Sequence, residues 1–212
     1  MNPALRKLCP TVFFFLSALL LGGCLMLGEG QSEATRYYTL SPIQADPLAQ
    51  FSEKRPSFLP GIGPVRIAAY LDRPQLMKRR SAHEFEVIDA ALWAEPLQEN
   101  LARALAANLA GHTGNPQVLL FPWRAMQRPS HQITIEVRRF DVGPDARAYL
   151  QADWAIQTQN GGPSEMSRQS EFSAQLRETD AAGSVAALSE TLGALSREIA
   201  LALADLAAQD PD

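Results

Sequence analysis

Residues 133–156 read ITIEVRRFDVGPDARAYLQADWAI, and their pattern decides the fold. Ile133, Ile135 and Val137 alternate with Thr134, Glu136 and Arg138, the period of two expected of a strand buried on one face. Asp141-Val142-Gly143-Pro144-Asp145 has turn composition, and Leu150, Ala152, Trp154 and Ile156 then alternate again. Two amphipathic strands joined by a turn predict an antiparallel hairpin.

Downstream, Asn160-Gly161-Gly162-Pro163 turns into a weaker third strand over residues 165–176. Val185, Leu188, Leu192, Leu195, Ile199 and Ala202 recur at three and four, a helix with a narrow apolar stripe. With fewer than three heptads, packing on the sheet is expected rather than a coiled coil. Upstream, Glu95-Pro96 starts a second helix, proline taking the first helical position, where no N–H is needed. Leu97, Leu101, Ala104, Leu105 and Leu109 form its stripe, Gly111 its stop, and Glu99 and Arg103 an i,i+4 pair. Further strands are expected at residues 36–40, 65–67, 83–88 and 118–121, the last fully apolar and so central; Pro47, Pro56, Pro60 and Gly61 mark a surface loop over residues 44–61. The prediction is one α+β domain over residues 37–208: a largely antiparallel sheet of about six strands with two main helices on one face, then a polar tail at residues 209–212.

The start of the chain has a different character. Arg6 and Lys7 precede an apolar run, Thr11 to Leu21, and small residues, the composition of a secretory signal peptide over residues 1–23. The run is too short to cross roughly 30 Å of hydrocarbon as a helix. Leu21-Gly22-Gly23-Cys24 resembles the bacterial lipoprotein lipobox. The resemblance implies cleavage between Gly23 and Cys24, a diacylglyceryl group on the Cys24 sulfur, and a third acyl chain on the freed amine. A buried or disulfide-bonded thiol is the other reading of Cys24, but the sole possible partner, Cys9, lies in the segment to be removed. Two or more chains anchor stably, at about 0.8 kcal/mol per buried CH2. Leu25 stands where this class carries Asp for inner-membrane retention, which by the same resemblance implies the periplasmic face of an outer membrane. Residues 24–36 read as a lipidated tether.

Without residues 1–23, 189 of the 212 residues remain, enough for one core, and the formal charge moves from −4 to −6. A mildly acidic chain argues against nucleic-acid binding. His83, His112 and His131 have no second ligand at metal spacing, and there is no Gly-x-Ser-x-Gly elbow, Walker lysine or dinucleotide fingerprint. No catalytic residue, metal or cofactor is expected.

Two stretches are unusual. Tyr70-Leu71-Asp72-Arg73-Pro74-Gln75 runs through Leu76 and Met77 into Lys78-Arg79-Arg80. Proline confines such a strand to an edge or a bulge. It is either an edge with solvated charges or a subunit or partner contact. In Trp93-Ala94-Glu95-Pro96-Leu97, Trp93 is expected to staple the start of the helix against Leu97.

With the lipobox and Tyr37-Tyr38-Thr39-Leu40, these stretches resemble the PqiC-like auxiliary lipoproteins of ABC-type and mammalian-cell-entry (MCE) transport systems, whose members read like YLDRPQIV-R and then W-EPL. The wording matches from the lipobox through Leu109, with Leu76-Met77 in place of Ile-Val. The resemblance implies an outer-membrane lipoprotein that works with a periplasmic MCE protein and its inner-membrane partner in lipid transport, as a docking component and as a homo-oligomeric ring. It supports a contact role for Tyr70 to Arg80. A periplasmic carrier that binds lipid itself, and an envelope hydrolase, are the competing readings; the carrier requires an apolar cavity of several hundred Å3.

Overall fold

The computed structural model describes residues 34–44, 47–52, 58–124, 127–158 and 166–209. The chain divides into two units, Met1–Ala34 and Thr35–Asp212, and all the elements below lie in the second. The expected leader with Gly23 and Cys24, the turn at residues 160–163 and the last three residues of the tail lie outside the described residues.

Strands β6 (His131–Val142) and β7 (Arg147–Thr158) form the expected hairpin. Ile133 faces Ile156, Ile135 faces Trp154 and Val137 faces Ala152, so the apolar residues of both strands share one buried face. After Val137 the register shifts by one residue, and the inward positions become Phe140 and Val142. A bulge at the paired arginines 138 and 139 thus resets the alternation. The loop closes with Gly143 N–H donating to Arg147 O at 2.8 Å. The third strand, β8 (Met166–Gln175), pairs antiparallel to β7. Its buried Ser170 hydroxyl accepts the Trp154 indole N–H at 2.9 Å, so the largest core side chain leaves no polar atom unpaired.

On its other side β6 carries two strands in succession. Strand β2 (Pro60–Ile67) runs parallel to its first half, and β3 (Gln75–Arg79) is parallel to its end, with Lys78 opposite Val142. Beyond β3 come β4 (Phe85–Trp93), antiparallel to β3, and β1 (Arg36–Tyr38), parallel to β4. The short strand β5 (Leu119–Leu120) adds parallel to the start of β2. The sheet therefore has eight strands rather than about six, and it is mixed, although its longest ladders are antiparallel.

Helix α1 (Ala49–Ser52) and the start of β2 occupy the stretch expected as loop. Pro60 is tolerated as the first residue of β2, where no ladder N–H is lost within the strand. Helices α2 (Leu97–Thr113) and α3 (Ala181–Gln209) supply the cover: α2 packs on β2 and β5, α3 on β6, β7 and β8, and the two pack on each other. Helix α2 ends later than expected, with Gly114 in the left-handed conformation and not at Gly111. Helix α3 is 29 residues long, about 43 Å at 1.5 Å per residue. Its first turn is capped by Asp180, whose carboxylate accepts the Gly183 N–H at 2.7 Å. The buried face is wider than the predicted stripe because Ser184, Ser189 and Ser196 also turn inward. Each returns its hydroxyl to a backbone carbonyl four residues earlier at 2.8 Å, so burial leaves no donor unpaired.

Val118 to Phe121 does not form a central strand. Only Leu119 and Leu120 pair, at the margin of the sheet, and Pro122 removes the next donor.

Candidate functional site

The turn at Tyr70 to Pro74 is a jog between two strands on the same side of β6. The chain leaves the sheet at Ala68, whose N–H donates to Val137 O at 2.9 Å. It makes a 3-10 turn over Ala69–Leu71, exposes Asp72, Arg73 and Pro74, and rejoins the sheet at Gln75. Strand β3 then lies between β4 and β6, so the expectation of an edge strand is overturned. Pro74 is compatible with an interior strand because it sits just before the first paired residue. Its carbonyl is used, accepting the Trp93 N–H at 2.7 Å. Leu71 and Leu76 are buried beneath the turn.

At the end of β3, strand alternation divides the basic trio. Lys78 and Arg80 share one face and hold Glu86 across the β3–β4 pair, Lys78 at 3.2 Å and Arg80 through two bonds of 2.7 and 2.8 Å. Those bonds, Arg80 first and Lys78 second, hold the Glu86 carboxyl down to about 2. Arg79 points the other way, to Asp141 on β6. The Asp141 side chain is 2% exposed and accepts three partners: the Tyr70 hydroxyl at 3.2 Å, Arg79 at 3.0 and 3.4 Å, and Arg139 at 3.0 Å. A carboxylate so removed from water needs this many donors. Burial, with Asp141 second, pushes the Tyr70 phenol up to about 12. Aromatic rings complete the cluster. The Arg79 guanidinium lies 4.2 Å from the centre of the Phe85 ring, which stacks on Tyr70 at 4.9 Å, and Arg139 lies 4.0 Å from that of Tyr149. Lys78, Arg79 and Arg80 contribute to the lining of an open groove of about 350 Å3, with Gly143, Pro144, Ala146 and Leu176 among the other lining residues.

Trp93 and Leu97 are both buried and line the same small cavity with Leu71 and Leu188. Trp93 is the last residue of β4, and Pro96 is the N-cap of α2, one position earlier than expected, with Leu97 first in the helix. Glu95 pairs with Arg103, which displaces the expected Glu99–Arg103 pair. Both changes follow from the extended backbone at Pro96, which keeps Glu95 outside the helix and beside its first turns.

Two features escape a reading of periodicity. Residues 39–43 form a strap across α2 and α3. The Asn100 side-chain oxygen accepts Leu40 N–H at 3.1 Å and Thr39 Oγ1–H at 3.2 Å, Asn108 accepts Ile43 N–H at 2.8 Å, and Ser189 accepts Ser41 N–H at 3.2 Å. The signal was two asparagines set among apolar residues of α2. The second feature is Leu120-Phe121, 42% and 52% exposed, with Trp123 edge-on to Phe121 at 5.6 Å. Pro122, directly after the apolar run, was its signal.

The strand directions place these features. Strand β1 runs opposite to β6, so the chain enters the domain from the side on which β3 and β6 end. The loop from Leu120 to Trp123 lies at the other end, beside the start of β2 and β6.

Comparison with known proteins agrees with this fold. A family model described as "ABC-type transport auxiliary lipoprotein component" matches residues 38–200. The crystal structure of protein XCC0632 from Xanthomonas campestris is similar over 82% of this chain and 97% of its own, at 17% identity and a TM-score of 0.67. A second crystal structure, of an uncharacterized protein, is similar over 81% and 99%, at 20% identity and a TM-score of 0.62. At these identities the likeness shows the fold alone. A comparison with curated proteins finds no match. Among the described residues no helix is long and apolar enough to cross a membrane.

Proposed function

The chain belongs to the family of ABC-type transport auxiliary lipoprotein components, and on that footing we propose that it is a docking subunit of an MCE/ABC-type lipid transport system. In this reading it is anchored in the outer membrane through Cys24, faces the periplasm and contributes to envelope integrity. The observation that carries the reading is the lipobox cysteine, placed twelve residues ahead of the first strand of the family domain. Twelve residues extend to at most about 40 Å, which keeps the domain near the bilayer. The exposed Asp72, Arg73 and Pro74 ahead of β3, and Lys78 and Arg80 at its far end, form the contact surface of the docking subunit, toward copies of itself in a ring or toward its MCE partner. Tyr70, Gln75 and Arg79 hold that surface in place.

The cavities favour docking over carriage of lipid. Next to the core, Leu71, Trp93 and Leu188 enclose about 20 Å3, room for one water molecule. The larger depressions, of about 320 and 350 Å3, are open at the surface, with Arg66, Glu136 and Asp153 in one and the basic trio in the other. A carrier needs an enclosed apolar volume of several hundred Å3.

The test is co-expression of the full-length chain with an MCE protein and its inner-membrane permease, followed by membrane fractionation and capture on the MCE protein. The chain is expected in the outer-membrane fraction, triacylated at Cys24 by intact mass, and in the captured complex. Charge reversal at Lys78 and Arg80 is expected to deplete it from that complex. An uncut leader with a free thiol, or no capture of the unaltered chain, would overturn the reading.

A further inference from the structure

We propose that the groove at the end of β3 binds a phosphate monoester carried on an apolar group, the chemistry of a singly esterified lipid phosphate. The proposal adds a ligand to the surface assigned to docking above, and its test needs no protein partner, so the two readings fail separately. The groove has about 350 Å3, within the range of small-molecule sites, whereas a stable protein contact spreads over roughly 1,200 Å2 or more. Its residues come from the end of β3, the loop from β6 to β7, the segment from β8 to α3 and the first turn of α3. The frame is fixed without a ligand. Ala146 O accepts the Leu176 N–H at 3.0 Å and the Gln175 side-chain amide at 2.9 Å, and Asp180 caps α3 next to Ser184. Little is left to order on binding.

Charge and polarity identify the ligand. No described residue lining the groove is acidic, although the chain as a whole carries −4. The other open depression, by contrast, sets Arg66 against Glu136 and Asp153. Around the basic trio four cations meet two carboxylates: Lys78 and Arg80 share Glu86, and Arg79 shares Asp141 with Arg139. Positive charge is thus in excess by two, the match for a phosphate monoester at about −1.5 to −2 and not for a single carboxylate. A guanidinium has five N–H donors and an ammonium three, so the bonds to Glu86 leave donors on Lys78 and Arg80 for phosphate oxygens. Thr179, an exposed residue of the lining, adds a hydroxyl. Asp145 and Asp180, in the flanking segments, accept the Tyr149 hydroxyl and the Gly183 N–H. Val142, Pro144, Ala146 and Leu176 supply the apolar remainder, which a bare phosphate would leave unused. The space suits a phosphate and the carbons next to it, with longer chains outside, so the groove seats a head and is not the enclosed cavity of a carrier.

The experiment is calorimetric titration of the full-length chain in phosphatidylcholine nanodiscs with octyl phosphate, octanoate and inorganic phosphate, the heat of empty discs being subtracted. Octyl phosphate is expected to bind about tenfold or more tightly than either of the others. Equal binding of octanoate would overturn the charge assignment, and equal binding of inorganic phosphate would mean a site for free phosphate with no use for the apolar lining. No heat beyond that of empty discs overturns the proposal outright. Octyl phosphate is also expected to slow acetylation of Lys78, followed by mass spectrometry; an unchanged rate would place the ligand elsewhere. Two full-length variants complete the test. T179E sets a carboxylate in the lining, and K78Q/R80Q removes two of its cations. Thr179 and the Lys78 and Arg80 pairs are exposed, so an unchanged thermal midpoint is expected for both variants. Affinity for octyl phosphate is expected to fall by about tenfold or more in each. Undiminished affinity in either overturns the proposal. If charge reversal at Lys78 and Arg80 costs partner capture while octyl phosphate fails to bind, the groove receives an acidic protein segment and the proposal is wrong.

Discussion

The Arg79 guanidinium donates to the Asp141 carboxylate at 3.0 Å, tying the end of β3 to a β6 side chain that is 2% exposed. Arg139 and Tyr70 donate to the same carboxylate, so one buried charge organises the turn, both strands and the base of the basic trio.

Asp141→Asn should therefore cost more than any change in the neighbouring surface pairs. It leaves Arg79 and Arg139 without their anion in a partly dry site, at about 2 kcal/mol. Lys78→Ala, which removes one arm of an exposed pair, should leave the urea midpoint almost unchanged. Equal midpoints for the two variants would show that Asp141 is not the organiser.

Tyr70 gives a spectroscopic handle. Its phenol is pushed up to about 12 by burial and by Asp141, against an ordinary value of about 10. Above the ordinary value the unfolded chain loses this proton and the folded chain keeps it, so stability should fall as pH rises toward 12. Alkaline absorbance should show Tyr70 ionising late among the four tyrosines, with Tyr149 also delayed by its hydrogen bond to Asp145, and Tyr70→Phe should remove the Tyr70 part of that late absorbance. An unchanged titration in the variant would rule the assignment out.

Acid should act at His112, which is buried between α2 and α3. Burial lowers its pKa, Arg197 on α3 acts in the same direction, and the Gly193 backbone carbonyl, which favours the protonated ring, opposes them. The unfolded chain takes up the proton first, so stability should fall as pH drops below about 6.5 and level off below the folded value. Urea midpoints measured across this range for the parent and His112→Gln should differ in slope, the variant being flatter.

Gly193 is where the strap meets α3. A Cβ there would lie 2.5 to 2.8 Å from three side-chain carbons of Ile43. Gly193→Ala gains up to about 1 kcal/mol of helix propensity, but it displaces Ile43 and the bond from its N–H to Asn108. A net loss of about 1–2 kcal/mol is expected. Ile43→Ala should relieve it, and a double-mutant cycle measures the coupling. Additive effects would mean that the strap yields freely.

The elements with long periodic patterns were legible before any coordinates. Alternation at Ile133 to Val137 and Leu150 to Ile156 is local, since successive side chains on a strand point to opposite faces whatever lies around them. The same holds for the spacing from Val185 to Ala202. The jog at Tyr70 to Pro74 was not legible in this way. Pro74 favours an edge when a strand is considered alone, yet here it stops one residue short of the ladder and β6 supplies the neighbour. Leu119-Leu120-Phe121 misled for the opposite reason: an apolar run states a cost of exposure without saying whether a neighbour will cover it.

From its residues alone the chain declared its α+β class, its principal helices and the hairpin at the centre of its sheet, because backbone periodicity and side-chain polarity act over a few residues. Which strand lies inside the sheet, which arginine of three meets a buried acid, and which apolar side chains stay in water were decided only by the tertiary structure. Those outcomes depend on groups more than sixty positions apart, such as Arg79 and Asp141, whose juxtaposition no local pattern encodes.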